Sequence, residues 1–222
     1  MTRSTKTNWA FARQRSFVVT LSHDFVREAA EKGEFMSYSR FAIYFIPPEG
    51  PLADFGAAWL GWNVVKGQEA VQPDIGGLRD ITMTPMKYGF HGTLKPPFRL
   101  AEGRSSEDLR AAVNDLAGAL APTTIDQLAL TTLGHFLALT PKGDASGLRH
   151  VAEACVRDLD VFRAPARHAE LARRRQAGLS DRQDALLTQW GYPYVMDEFR
   201  FHMTLSGRLA AEEIAHWSGS VD

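Results

Sequence analysis

Two short segments with the same pattern, far apart along the chain, carry the residues best suited to chemistry. His-Gly-Thr-Leu occupies residues 91–94 and His-Met-Thr-Leu occupies residues 202–205. With only 7 histidines in 222 residues, two such matches are expected by chance in about one of a thousand sequences of this composition. A single His-x-Thr is more often structural, but the matched pair favours a shared function.

A β-strand explains the spacing within each segment. Side chains two positions apart project from the same face of a strand, so the histidine and the threonine of each segment are predicted to point the same way. The residues between and beside them are small or apolar and are expected to face the core. The same alternation extends the two polar faces to Lys95 and Arg200.

Two imidazoles and two hydroxyls around one phosphorus atom are suited to cleaving a phosphate ester. Histidine titrates near neutral pH, so one ring can accept a proton while the other donates one. Threonine hydroxyls can hydrogen-bond the non-bridging oxygens, where charge is held in the transition state. Lys95 or Arg200 would add positive charge. The residues predicted to be catalytic are His91, Thr93, His202 and Thr204.

A zinc site is the competing interpretation of the histidines. Threonine is a poor zinc ligand, and the chain contains neither Cys-x-x-Cys nor His-Glu-x-x-His. The other five histidines show no ligand spacing and are predicted to lie on the surface or in packing contacts. We therefore expect no metal and no cofactor.

The pattern of apolar residues predicts an α+β fold that positions the two segments. The predicted strands cover residues 40–46, 88–94 and 199–206, with a hairpin over residues 127–140. The predicted helices cover residues 51–62, 105–120, a stretch around Cys155, and 180–191, where Ser180 and Gln183 match a capping box. Proline pairs at 47–48 and 96–97 are expected to end strands, and residues 63–85 to form a loop.

The order of these elements is similar in two halves of the chain, each with one His-x-Thr strand. It predicts two α+β lobes, about residues 36–125 and 126–222, that place equivalent strands side by side. Residues 1–35 are basic, with no acidic residue before Asp24, which resembles a transit peptide, but they are expected to be an extension from an upstream start codon, outside the fold. Met36 opens a more strand-like sequence, so the domain is predicted to cover residues 36–222.

Composition narrows the classes of partner. The formal net charge of -1 gives no basic surplus, which argues against a protein that grips long nucleic acid. Cys155 is the only cysteine and is predicted to be a small buried hydrophobe, so the chemistry fits a reducing compartment and a cytoplasmic location is expected. No apolar run approaches the roughly 20 residues of a membrane helix. A small-molecule partner is favoured over RNA, and the oligomeric state is left open.

An arginine-rich segment precedes the second His-x-Thr motif. A solvated helix face is the favoured interpretation, and a lid that contacts substrate phosphates is the alternative, since guanidinium matches phosphate geometry. The neighbouring Tyr192 and Tyr194 are expected to pack, with stacking on a base as the alternative. The arginines are Arg163, Arg167, Arg173, Arg174, Arg175 and Arg182.

The two motifs, with their surroundings, resemble the two-histidine phosphoesterase superfamily. The similarity is strongest to its uncharacterised branch encoded beside phosphonate-degradation genes, and it covers about residues 36–208. The segments that carry it are Tyr88-Gly-Phe-His-Gly-Thr-Leu-Lys-Pro-Pro-Phe-Arg99 and Glu198-Phe-Arg-Phe-His-Met-Thr-Leu-Ser-Gly-Arg208, supported by Arg40-Phe-Ala-Ile-Tyr-Phe45.

The resemblance implies a bilobal fold with two antiparallel sheets around a central groove that the His-x-Thr strands line. It implies hydrolysis or transfer at a phosphodiester, commonly a cyclic phosphate on ribose, with Tyr88 and Arg208 among the substrate-binding residues. Gly92 stands where the branch usually has alanine. After Arg208 a full second lobe would need a helix and about two further strands, so the C-terminal part of that lobe is expected to be incomplete.

Three functions follow as hypotheses. The leading one is a metal-independent phosphodiesterase that opens a small cyclic phosphate in phosphonate metabolism, with the histidines as general base and general acid in an order that the sequence leaves open. The second is an RNA end-processing or 2′,5′-ligase-like enzyme. The third is a non-catalytic nucleotide-binding module or a truncated, inactive protein.

Overall fold

Strand-forming residues from both halves of the chain pair in one antiparallel sheet. The computed structural model describes residues 9–10, 17–21 and 40–219. Its strands are β1 (Trp9–Ala10), β2 (Phe17–Leu21), β3 (Phe41–Phe45), β4 (Trp62–Asn63), β5 (Gln68–Glu69), β6 (Gly92–Phe98), β7 (Thr124–Ile125), β8 (Gln127–Leu133), β9 (Phe136–Lys142) and β10 (Met203–Thr204). The main sheet has the order β2-β3-β6-β10-β9-β8, and β1-β7 and β4-β5 form two small sheets.

Seven α-helices accompany these strands in the described part of the chain. They are α1 (Pro51–Leu60), α2 (Leu78–Thr82), α3 (Ser106–Ala119), α4 (Ser146–Asp158), α5 (His168–Arg175), α6 (Asp181–Trp190) and α7 (Ala211–Ser218), with 3-10 turns at Pro85–Lys87, Asp160–Phe162 and Met196–Glu198. The α+β class predicted from the sequence is therefore confirmed.

Local sequence signals explain where several elements begin and end. The Ser105 hydroxyl accepts a hydrogen bond from the backbone of Asp108 and starts α3, and Ser180 and Gln183 form the predicted capping box of α6. Gly191 ends α6 in the left-handed conformation. The predicted hairpin forms as β8 and β9. These predicted boundaries are confirmed. They could be predicted because each depends on residues close in sequence.

The main core lies against one face of the sheet. Buried side chains of β3 and β6, such as Ile43, Leu94 and Phe98, pack with Leu109 of α3 and Val151 of α4. A smaller buried cluster of Ala42, Tyr44 and Ile46 lies apart from this core. Alternate residues of β3 thus reach two different environments, as expected for a strand inside a sheet.

Two register shifts alter the alternation in β6. Tyr44 pairs with Thr93 but Ile43 pairs with Lys95, so β6 has an extra residue at this point, and a second shift lies between Lys95 and Phe98. The strand therefore continues through Pro96-Pro97 instead of ending there as predicted. A bulge tolerates proline because its residues need not donate a ladder hydrogen bond.

A single register pair joins the two halves of the main sheet. Met203 of β10 pairs with Gly92 of β6 on one side and with Leu139 of β9 on the other. The strands that we expected in two sheets around a groove thus belong to one sheet in this structure. A Cβ atom on Gly92 would lie 2.2 Å from the ring of Phe201, so the missing side chain leaves the space that this buried ring fills.

Other segments differ from the predicted boundaries. The last His-x-Thr strand is short, since only Met203–Thr204 is extended in the sheet, and the predicted loop over residues 63–85 includes β5 and α2. Helix α7 follows Arg208 and buries Trp217 edge-on against Trp59.

Most of residues 1–35 lie outside the described residues. Within this stretch, Phe17–Leu21 pairs with Phe41–Phe45 and Trp9–Ala10 pairs with Thr124–Ile125. The domain boundary drawn at residue 36 stays a prediction. Across the residues that the structure describes, no helix combines the length and the apolar character needed to cross a bilayer.

Substituting Gly92→Ala is expected to lower the free energy of unfolding by about 1–3 kcal/mol, because a methyl group would overpack the Phe201 ring. Chemical denaturation measures this, and Phe201→Leu in the same chain should recover part of the loss. Gly118→Ala is the matched control. Gly118 is exposed in α3 with nothing within 4 Å of an added Cβ, so that change should be neutral or stabilising. Equal losses at both positions would contradict the packing argument.

Candidate active site

The pairing of Met203 with Gly92 places the two His-x-Thr segments side by side in opposite directions. Continuing this antiparallel register by one residue each way sets Thr204 opposite His91 and His202 opposite Thr93. Directly opposite residues in such a pair have Cβ atoms about 4.5–5.5 Å apart. Gly92, Met203 and Leu94 are buried, whereas the four predicted catalytic residues are partly exposed. Extended in this way, the register would place the four side chains on one face of the sheet.

Both imidazoles are held in the same way. Nδ1 of His91 lies 2.9 Å from the carbonyl oxygen of Gly89, and Nδ1 of His202 lies 2.9 Å from the carbonyl oxygen of Arg200. A carbonyl oxygen only accepts hydrogen bonds, so each Nδ1 must carry the proton. In the neutral ring Nε2 then keeps its lone pair, and this nitrogen is the one available to take or give a proton.

Aromatic packing fixes the ring of His91. It stacks on Tyr44, with ring centroids 3.7 Å apart and an interplanar angle of 22°. Gly89, whose carbonyl accepts the imidazole proton, has a φ of +71°, and a Cβ atom there would lie 2.5 Å from the side chain of Val64. Phe90, on the opposite side of the chain from His91, is buried. The ring is therefore oriented before any ligand binds.

This packing also sets the charge of His91. Burial lowers its pKa from 6.5 to about 4, the hydrogen bond to Gly89 opposes that shift, and positive charge on His202 lowers the pKa further. His91 is consequently neutral at physiological pH. The electrostatic influence of His202 is consistent with the close approach that the strand register requires.

His91 opens onto a cleft of about 450 Å³. Thr204 lines the same cleft, whereas Thr93 and His202 are not among its lining residues. His202 is in contact with Phe136, with ring centroids 5.8 Å apart. The volume is in the range of small-molecule sites.

One of the predicted substrate-binding residues lies in the cleft, and the others lie outside it. Tyr88 lines the cleft with His91, and its side chain is 38% exposed. Arg208 lies in a neighbouring concavity that shares Thr204, and Arg200 lines a third one beside Phe201. Only Tyr88 therefore lies in the cleft itself.

Lys95 lies elsewhere. Its side chain is 2% exposed, and its ammonium donates to the carbonyl oxygen of Val156 at 2.8 Å and approaches Asp160 at 3.4 Å. Burial lowers the pKa of Lys95 to about 8. The extra residue of β6 turns Lys95 toward α4, whereas strict alternation would have placed it beside Thr93.

Several residues of the cleft were not identified from the sequence. Tyr44 belongs to β3, whose other residues are apolar, and Arg40 directly precedes this strand; both reach the cleft only because β3 pairs with β6. The tyrosine hydroxyl on an otherwise apolar strand was the signal that could have found Tyr44. Burial raises the pKa of Tyr44 to about 12, so the hydroxyl stays protonated.

The arginine-rich segment is divided in the structure. Arg175 and Arg182 are exposed and pair with Asp184 and Asp197, as a solvated helix face would. Arg174, one turn along α5 from Glu170, instead lines the cleft. Tyr192 packs edge-on against Tyr194, with ring centroids 5.8 Å apart.

Among the described residues, neither Cys155 nor a metal-binding group adds to the site. Cys155 is buried, as predicted, and burial raises the pKa of its thiol to about 12. Between residues 40 and 219 no three His, Cys, Asp or Glu side chains are grouped closely enough to hold a metal ion.

Comparison with known proteins shows what this chain resembles. The model of DUF1045, a family described as proteins of unknown function, matches residues 93–222. A ribose 1,5-bisphosphate phosphokinase PhnN of Janthinobacterium sp. (strain Marseille) is 40% identical over 179 residues, which cover 78% of this chain and 40% of that protein. The protein of the same name from Laribacter hongkongensis (strain HLHK9) is 35% identical over 183 residues, covering 80% of this chain and 42% of that protein.

The chain therefore spans about two fifths of the length of the curated relatives it matches. No solved structure matches it. Because the family model covers more than half of the residues, the chain belongs to the DUF1045 family.

Proposed function

We propose that this chain is a phosphoesterase of the two-histidine type that opens a small cyclic phosphate on ribose. The observation that carries the proposal is the antiparallel register of Gly92 and Met203, which sets His91 against Thr204 and Thr93 against His202. Two imidazoles and two hydroxyls on one face of a sheet suit a single phosphorus atom with an attacking and a leaving oxygen.

His91 is the general base in this proposal. Since its pKa is lowered to about 4, the ring is neutral and Nε2 can take a proton from water over a wide pH range. The water oxygen bonds to phosphorus, and the bond from phosphorus to one ribose oxygen breaks. Tyr44 keeps the ring in place through the stack described above.

His202 is then the general acid. In its protonated form Nδ1 still donates to Arg200, and Nε2 gives its proton to the leaving ribose oxygen. The products are a hydroxyl and a phosphate monoester, and return of one proton from His91 to His202 through solvent resets the site. Thr93 and Thr204 hydrogen-bond the non-bridging oxygens as negative charge builds on them.

The names of the relatives bear on the substrate but not on the reaction class. A ribose 1,5-bisphosphate is a ribose with phosphates on carbons 1 and 5. If a 1,2-cyclic phosphate of ribose is opened by breaking the bond from phosphorus to the oxygen of carbon 2, the phosphate stays on carbon 1. The 222 residues contain no Gly-Lys dipeptide and hence no G-x-x-x-x-G-K-[ST] loop. Our proposal for this chain is accordingly a hydrolase acting on a ribose phosphate, in phosphonate metabolism.

His91→Ala and His202→Ala are each expected to lower kcat by about 10²–10⁴-fold, because each removes one proton-transfer group. The measurement is hydrolysis of ribose 1,2-cyclic phosphate and of a 2′,3′-cyclic nucleotide in the presence of EDTA. His150→Ala is the matched control, since His150 is exposed on α4, and it should retain the parent rate. Full activity in either site variant, or loss of activity in EDTA, would reject the proposal.

The pH dependence of kcat/KM provides a separate prediction. A base must be unprotonated to act, so activity should rise as pH increases through about 4, well below the ordinary histidine pKa of 6.5. Tyr44→Ala lets water reach the ring and should move this acid limb upward, toward 6.5. NMR titration of the His91 ring in both proteins checks the same shift without turnover. An acid limb and a His91 pKa near 6.5 in the parent protein would contradict the assignment of His91.

A further inference from the structure

Two arginines line the cleft that contains His91. Arg40 comes from the residue before β3 and Arg174 from the last turn of α5, and both are lining residues. Glu170 holds them together: Nη2 of Arg40 lies 2.8 Å and Nη2 of Arg174 lies 3.6 Å from the same carboxylate oxygen. One carboxylate is thus shared by two guanidinium groups, which leaves a net positive charge of one.

The two guanidinium groups share an unusual feature. Nε of Arg40 and Nε of Arg174 are buried, and neither has a hydrogen-bond acceptor within the described part of the chain. A buried donor without an acceptor costs about 1–3 kcal/mol, more for a charged group. Both side chains nevertheless line the cleft and stay partly exposed, at 25% for Arg40 and 19% for Arg174, so the outer parts of the guanidinium groups are open to an acceptor that arrives with a ligand.

The side chains around the two arginines indicate the sign of the charge on that ligand. The cleft lining includes both arginines and no aspartate or glutamate, and its other polar side chains are the His91 imidazole and hydroxyls of tyrosine, threonine and serine. Arg174 also lies over the ring of Tyr192 at 4.6 Å, which keeps the guanidinium in place. A phosphate suits these two arginines because its oxygens match the fork of donors on arginine.

We infer that Arg40 and Arg174 form a second phosphate subsite, so that the substrate carries a phosphate monoester in addition to the cyclic phosphate opened by the histidines. The inference rests on the proposed function. A cleft of about 450 Å³ is large enough for a ribose with two phosphate groups. The name of the relatives describes a ribose with phosphates on carbons 1 and 5. The class we propose is a ribose 1,2-cyclic phosphate that bears a 5-phosphate.

The test compares kcat/KM for ribose 1,2-cyclic phosphate with and without the 5-phosphate. The parent protein should prefer the 5-phosphorylated compound by about ten- to one-hundred-fold, the effect of a hydrogen-bonded charge pair. Arg174→Met should bring this preference close to one, and Arg174→Lys should recover part of it. Arg173→Met is the matched control: Arg173 is the exposed neighbour on α5, and the same loss of charge there should keep the preference.

Binding of ribose 5-phosphate, measured by calorimetry, separates this inference from the proposed hydrolysis. The parent protein and Arg173→Met should bind it, and Arg174→Met should bind it at least about tenfold more weakly, with thermal unfolding showing that each variant is folded. If neither cyclic phosphate is hydrolysed but this binding pattern holds, the hydrolase proposal fails and the subsite stands. A parent preference near one, equal losses on both cyclic phosphates in Arg174→Met, or equal binding of ribose 5-phosphate by Arg174→Met would overturn the subsite.

Discussion

The geometry of the site depends on one antiparallel register. Met203 pairs with Gly92, and because side chains alternate along a strand, this pair determines which residues meet on the other face. A shift of β10 by one residue would turn His202 and Thr204 toward the packed core while His91 and Thr93 kept their face. The space beside Gly92 is filled by the ring of Phe201, so core packing on one face of the sheet secures the positions of the reactive groups on the other.

The electrostatic state of the site follows from the same arrangement. Burial against Tyr44 and proximity to His202 both disfavour the protonated form of His91. Two otherwise equivalent His-x-Thr segments thus become inequivalent, and this difference is the reason for proposing His91 as the base. Arg40 and Arg174 add positive charge to the lining of the same cleft.

The sequence predicts those features that depend on neighbouring residues. The caps at Ser105 and Ser180 and the hairpin around Gly134 are found as expected. In the His-x-Thr segments, buried Gly92, Leu94 and Met203 alternate with partly exposed neighbours, as strand periodicity predicts. Lys95 was misplaced because a bulge in β6, set by pairing with β3, interrupts that periodicity. Arg40 and Tyr44 were missed because their roles arise only when β3 lies beside β6.

The central claim is that the two histidines act on one phosphorus atom as a unit. The most direct measurement is a double-mutant cycle with His91→Ala, His202→Ala and the combined variant, followed by the rate of cyclic phosphate hydrolysis. Residues that act together show strongly non-additive effects. We predict that the combined variant loses little more activity than the more damaging single variant. If the increases in activation free energy of the two single variants simply add in the combined variant, a shared site is contradicted.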